Sequence, residues 1–392
     1  MSENKVLQVP YGTKDLLPGE AGAKRKMEDN LATNFSQWGY AEVQTPTFEY
    51  LDTFALGGSG ITEESMKFLD RNNRTLVLRS DMTTPLARMV ATRMGDEKDI
   101  KRLFYIANIF RYEQTQAGRQ CEFSQAGVEL MGTPEPMADA EVLALAVASL
   151  QTAGLDKFKI SVGHIGFLAG LMEEVNLTGQ EKEKIKQLVL EHNAVDLENY
   201  VNTLSIDEKL KGVLGRLLFL QDGQDMLKKL QKNVHNEKSY KALENLLQIF
   251  AFAKAYGVSK YLSFDLSLIR NFDYYTGMVF EAYTPDMGFN ICGGGRYDTM
   301  MSSFGKDCPA TGFAMGIDRI ILALQREENF SSKADWDVFV AWEAGFAQAA
   351  IKKAMELRAK GKKVKIAFSS MNEMEAEQNT LENNCTSLVY IR

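Results

Sequence analysis

Two stretches of the chain gather residue types that bind anions or polar rings. The first, Phe110-Arg111-Tyr112-Glu113-Gln114-Thr115-Gln116-Ala117-Gly118-Arg119-Gln120-Cys121-Glu122-Phe123-Ser124-Gln125, runs on into Gly127-Val128-Glu129-Leu130. Strands on either side of such a loop would let the Arg111 and Arg119 guanidiniums converge on an anion lying over a sheet. A plain polar hairpin has the same composition, and spacing alone leaves both readings open. The second stretch, Ser267-Leu268-Ile269-Arg270-Asn271-Phe272-Asp273-Tyr274-Tyr275-Thr276-Gly277, precedes the apolar run Met278 to Glu281. Its charged pair and adjacent tyrosines could line a polar pocket with aromatic walls, or the tyrosines could be core residues whose hydroxyls reach the surface. Gly293-Gly294-Gly295-Arg296-Tyr297-Asp298 marks backbone that must approach a ligand or another strand closely. It matches neither a P-loop nor a dinucleotide fingerprint.

Other chemistries find less support. Cys121, Cys292, Cys308 and Cys385 are far apart, and His164, His192 and His235 have no finger or helix-face spacing, so neither a metal site, a disulfide framework nor a cofactor is expected. A formal charge of −7 lacks the cationic surplus that gives sequence-independent affinity for nucleic acid. No apolar run approaches the roughly 18 residues of a membrane span, and Met1 to Pro10 has no signal-peptide pattern. A cytoplasmic protein with no membrane partner is the expectation.

With 392 residues, 45% hydrophobic and 25% charged, the chain can bury a large core with additions. Apolar positions at helical spacing predict a helix over Glu20 to Phe35, ended by Trp38-Gly39-Tyr40. Strands are expected at Thr75 to Arg79, Arg102 to Arg111 and Phe123 to Leu130, with a helix over Thr83 to Met94. Leu103 to Phe110 is apolar at both alternations, as in a strand covered on both faces. From about 167 to 254, leucines at helical spacing among charges predict a helical insertion. Strand character returns at Met278 to Tyr283 and Phe289 to Cys292, followed by a helix carrying Ile317, Ile320, Ile321 and Leu324. Residues 1–325 thus form one body, 326–334 a linker, and 335–392 a small α/β domain. In that domain Val338 to Ala341, a helix over Phe346 to Arg358, Val364 to Phe368 and a possible strand Ser387 to Ile391 follow in order.

Together these segments resemble motif 2, the two histidine-specific signatures and, at Thr311-Gly312-Phe313-Ala314-Met315-Gly316-Ile317-Asp318-Arg319, motif 3 of the histidyl-tRNA synthetases. Pro10-Tyr11-Gly12-Thr13-Lys14-Asp15-Leu16-Leu17-Pro18 and Thr45-Pro46-Thr47-Phe48-Glu49 are similar to that family's opening and motif 1. The resemblance runs from about Val9 to Leu324. It implies an α+β fold of the class II aminoacyl-tRNA synthetase type, an antiparallel sheet flanked by helices. It further implies a histidine pocket. Asp81 stands where the synthetases carry a glutamate for the α-amino group, and Thr83, Gln125, Glu129, Tyr274 and Tyr275 match positions that contact the amino acid. Glu129 and Tyr274 would bond the imidazole nitrogens. Arg270 matches the arginine near the ligand carboxylate, and Arg111 and Arg319 match ATP-binding arginines. With Arg119 and Arg296 they would form a vestigial nucleotide or anion site.

The departures fall on the parts that serve ATP and tRNA. Gln114 and Cys121 replace cations of the synthetase motif 2 loop, and each lost phosphate contact would forfeit roughly 1.5 to 3 kcal/mol. The C-terminal domain looks like the start of an anticodon-binding domain that is cut short. Beyond Phe368 the only cation is Arg392, against Glu373, Glu375, Glu377 and Glu382. A preserved amino-acid pocket beside a weakened ATP loop resembles the regulatory subunits of ATP phosphoribosyltransferase. The resemblance implies a subunit with no catalytic residues of its own, required for the first step of histidine biosynthesis and its feedback regulation. Its expected partners are a second copy of itself, a short-form catalytic subunit in a hetero-octamer, and L-histidine as effector, with no tRNA. The alternative is an active histidine-tRNA ligase with a shortened C-terminal domain, for which Arg270, Arg296 and Arg319 speak; a paralogue adenylating histidine for another acceptor is a third reading.

Overall fold

The computed structural model describes residues 7–58, 65–95, 99–112, 120–175, 177–268, 274–285, 287–327 and 336–392. Two compact units emerge, one of residues 1–14 and 27–329 and the other of residues 15–26 and 330–392. Most of the expected linker, its residues 328–334, lies outside the described residues.

Helix α1 (Pro18–Gln37) gives its residues from Met27 onward to the larger unit, where Leu31 and Phe35 are fully buried, Phe35 lying 5.3 Å from Phe104. It stops where Gly39 takes φ +82°, a conformation that costs glycine little, and Tyr40 N–H closes back on the Phe35 carbonyl. Strand β1 (Ala41–Glu42) follows. A small antiparallel sheet, ordered β2-β4-β3, is then built from β2 (Phe48–Tyr50), β3 (Lys67–Leu69) and β4 (Thr75–Leu78), with α2 (Leu51–Leu56) beside it. Helix α3 (Thr83–Arg93) leads into the long antiparallel pair β5 (Lys101–Phe110) and β6 (Glu122–Met131), in register from Phe110 opposite Glu122 to Lys101 opposite Met131.

Next come α4 (Pro136–Thr152), β7 (Lys159–His164), α5 (Ile165–Glu174), α6 (Gly179–Leu190), α7 (Ala194–Thr203), α8 (Glu208–Gly215), β8 (Gln221–Asp222), α9 (Gln224–Gln231) and α10 (Glu237–Ala255). The stretch expected to be a helical insertion is therefore helical, apart from the short β8. The unit closes with β9 (Leu262–Asp265), β10 (Met278–Tyr283), β11 (Cys292–Arg296), β12 (Ala310–Gly316) and α11 (Ile317–Arg326).

One nine-stranded sheet orders them β1-β5-β6-β12-β11-β10-β7-β9-β8. Its centre is antiparallel, while β1 with β5 and β7 with β9 run parallel, so the sheet is mixed and the fold α+β. The strand expected at Phe289 to Cys292 instead occupies Cys292–Arg296, the glycine run itself. Close packing explains the glycines: a Cβ on Gly294 would lie 2.0 Å from the Gly312 carbonyl, and one on Gly295 2.4 Å from that of Met278. These two serve strand-to-strand approach.

In the smaller unit β13 (Trp336–Trp342) lies between β14 (Val364–Ile366) and β15 (Cys385–Ile391), all parallel. Helices α12 (Ala347–Ala359) and α13 (Glu373–Glu382) complete it around Val340, Ala350, Ala354 and Ala376. Helix α13 occupies the acidic stretch that composition presents only as a charged face. Its start is fixed by a reciprocal cap between Asn372 and Glu375.

Candidate functional site

Register puts the site on one face of the β5-β6-β12 sheet. Along β6, Gln125, Gly127 and Glu129 alternate onto the same face, opposite Ala107, Tyr105 and Leu103 of β5. Glycines make the room. A Cβ on Gly312 of β12 would stand 2.0 Å from the Glu129 carboxylate, and one on Gly127 2.5 Å from the Tyr105 ring.

Glu129 is almost fully buried, and hydroxyls hold both of its oxygens. Thr83, at the start of α3, donates to Oε1 at 3.0 Å, and the buried Tyr297 hydroxyl donates to Oε2. Burial pushes the Glu129 carboxyl up to about 8, the Tyr297 and Thr83 hydroxyls oppose this, and the nearby Asp81 charge adds to it. Asp81 is buried too. It accepts from the Thr84 amide at 3.0 Å and the Thr84 hydroxyl at 3.2 Å, which fixes it at the N-terminus of α3. Desolvation raises its pKa against the pull of the Thr84 amide and of Arg111.

The half-buried Tyr274 and Tyr275 pack ring to ring at 4.7 Å, and Tyr274 sets its edge on Tyr297 at 5.9 Å. The tyrosine pair thus joins the carboxylate cluster through Tyr297. Gln125 is half-buried farther along the same face. Sequence reasoning did not assign roles to Tyr297 or Tyr105. Tyr297 sits in a glycine-rich run whose glycines drew the notice, and Tyr105 in a strand of uniformly apolar pattern gives no polar signal.

The arginines divide. Arg111 donates Nε to the Ser80 carbonyl at 2.6 Å and lies 5.6 Å over the Phe123 ring. Arg319 donates to the backbone and side-chain oxygens of Asn290, each at 2.8 Å, and covers Phe289 at 5.2 Å. Arg296 is buried, and its donors go to Asp139, Asp298 and the carbonyls of Thr133 and Glu135. Its place is a brace between α4 and the end of β11, away from the anion role expected of it. Arg119 and Arg270, with Gln114 of the motif 2 loop, lie outside the described residues. Among the described residues no group of three or more His, Cys, Asp or Glu side chains is arranged to hold a metal ion. No helix among them is long and apolar enough to cross a membrane.

Two buried carboxylates with a tyrosine wall suit a small ligand that brings N–H groups at two ends. The fold is that of a histidyl-tRNA-synthetase-like protein of the class II type, and the histidyl-tRNA synthetase family matches residues 12–320. The ATP phosphoribosyltransferase regulatory subunit of Desulforamulus reducens is 38% identical over 392 residues, covering 100% of this chain and 97% of that one. That of Moorella thermoacetica is 40% identical over 377 residues, 96% of each. A crystal structure of an ATP phosphoribosyltransferase regulatory subunit/histidyl-tRNA synthetase from Bacillus halodurans C superposes with a TM-score of 0.87 at 32% identity, covering 98% of both chains. The chain belongs to the family of ATP phosphoribosyltransferase regulatory subunits.

Proposed function

We propose that this chain is the non-catalytic regulatory subunit of an ATP phosphoribosyltransferase and that it senses L-histidine in the Asp81–Glu129 pocket. The chemistry belongs to a short-form catalytic subunit, with which the chain forms a hetero-octamer in the cytoplasm, and tRNA is not a ligand. The observation that carries the reading is the pair of buried carboxylates at the start of α3 and on β6, in a chain similar over its full length to regulatory subunits. Asp81 takes the α-ammonium, Glu129 one imidazole nitrogen and Tyr274 the other, while Thr83, Gln125 and Tyr275 line the walls and Arg270 meets the ligand carboxylate. A flat ring bonded at opposite ends is selective, because an apolar analogue would leave pocket groups unpaired. Residues 1–325 carry this sensor, 326–334 the linker and 335–392 a separate small domain.

Calorimetry with L-histidine tests the pocket. Glu129→Gln keeps the shape and removes the charge, so affinity should fall roughly tenfold to a hundredfold, about 1.5 to 3 kcal/mol. Asp81→Asn, which can still accept from Thr84, should lose a similar amount through the α-amine. Parent-like binding by both variants would make the pocket a relic. Robust histidine-tRNA charging by the purified chain would overturn the regulatory role itself.

A further inference from the structure

The Asp81–Glu129 site carries an electrostatic oddity. The Glu129 carboxyl is buried, yet what grips it are the hydroxyls of Thr83 and Tyr297. A hydroxyl can turn round, donating to a carboxylate or accepting from a carboxylic acid, so both contacts survive a change of protonation. A guanidinium or ammonium would instead have fixed the charged form.

The N-terminus of α3 brings Asp81, a charge of the same sign, and β5 brings Tyr105. The segment after β11 brings Tyr297, with Tyr274 and Tyr275 behind it, and Tyr40 beyond the end of α1 also feels the Glu129 charge. β12 brings Gly312, which leaves space and no charge. The Arg111 charge is felt at Asp81 and Tyr105.

We propose that Glu129, shut away from water and held in place by Thr83 and Tyr297 as positioning residues that serve either protonation state, keeps one proton stored when no ligand is bound, and that an arriving imidazole takes over that proton instead of sending it to solvent. The step balances. The O–H bond of the Glu129 carboxyl breaks, a second N–H bond forms on the neutral ring, and carboxylate and imidazolium are left paired with no net change of charge in the pocket. The ring must therefore be basic, which separates imidazole from non-basic flat rings of the same size. The raised proton affinity of Glu129, to about 8, sets the range in which this matters. Above it the empty carboxyl has lost its proton, and the complex must draw one from the medium. This inference rests on the pocket being the histidine site.

The test is titration of the full chain with L-histidine between pH 6.5 and 9, in two buffers of different ionisation enthalpy. Near pH 7 almost no net proton exchange is expected from Glu129. Uptake should climb toward one proton per histidine above pH 8, with affinity falling by up to about tenfold per pH unit there. Glu129→Gln should lack this uptake, and since the α-amine of the ligand titrates alike in both proteins, the difference belongs to Glu129. Tyr297→Phe removes a donor that favours the ionised carboxyl, so the onset of uptake should move to higher pH. Histidine binding with no difference between parent and Glu129→Gln would overturn the stored proton and leave the histidine site standing. An unmoved onset in Tyr297→Phe would remove Tyr297 from the role. No histidine binding by the parent at any pH would overturn the pocket assignment and this inference with it.

Discussion

Two side chains make the stability of the ligand-free protein depend on pH in opposite directions. Glu129 holds a proton up to about 8 when folded, against an ordinary value of 4.5, because burial penalises its charge. Between those values the folded chain binds more protons than the unfolded one, so stability falls as pH rises, by at most about 1.4 kcal/mol per pH unit, and levels off above 8. His164 behaves oppositely. Its Nδ1 accepts from the Gly166 amide and caps α5, and burial, with the Arg296 charge second, lowers its pKa from 6.5 to about 4. Unfolded histidine takes up protons first, so stability is lost as pH falls from about 6.5 toward 4. Across pH 5 to 9 the two slopes offset each other below about 6.5, so thermal stability should be nearly level there and fall from about 6.5 to 8. Glu129→Gln should remove that fall and uncover a loss of stability on acidification, and His164→Asn, which can still cap, should extend the fall down to pH 5; parallel curves for parent and variants would contradict both assignments.

At the scale of elements, the β2-β4-β3 sheet leaves Phe48, Phe68 and Leu69 exposed, with the two phenylalanine rings edge to face at 6.0 Å. If the chain self-associates as the motif 1 resemblance implies, an apolar pair of this kind beside Pro46 is where a second copy should pack. Phe48→Glu with Phe68→Glu should convert a dimer to monomers in sedimentation, and an unchanged mass would move the interface elsewhere. Which elements were legible follows from how each is buried. Helix α1 and strands β5 and β6 carry one-sided or continuous apolar patterns, and their expected limits lie within a few residues of those in the structure. Helix α4 escaped notice because Val142, Leu143, Leu145, Ala146 and Val147 are buried around its whole circumference, which erases the 3.6-residue period. Helix α13 escaped because its sides are mostly solvated and the signal lies in the Asn372–Glu375 cap. In the site, Asp81 and Glu129 are recognisable through motif resemblance. Tyr297, which tunes Glu129, and Tyr105, on which both carboxylate charges act, come from segments distant in sequence that sheet register brings together.

For the whole molecule, regulation requires that histidine bind one state of the assembled complex better than another. That difference is a coupling free energy, and it acts equally in both directions. If histidine in the Asp81–Glu129 pocket weakens substrate binding on the catalytic subunit by some factor, the substrate phosphoribosyl pyrophosphate must weaken histidine binding by the same factor. Couplings of this kind are typically about 1 to 3 kcal/mol, so each ligand should shift the affinity of the other by roughly 5-fold to 150-fold. Mixing the chain with the short catalytic subunit should first give a larger particle containing equal numbers of the two, read by native mass spectrometry. Equilibrium binding of histidine to that particle, with and without phosphoribosyl pyrophosphate, then gives the factor. Glu129→Gln should need more histidine to reach a given inhibition, in proportion to its loss of affinity, because the mutation changes occupancy of the sensor and leaves the coupling between the two states in place. Inhibition curves that coincide for parent and Glu129→Gln, when calorimetry finds weaker binding by the variant, would place the inhibitory histidine site on the catalytic subunit.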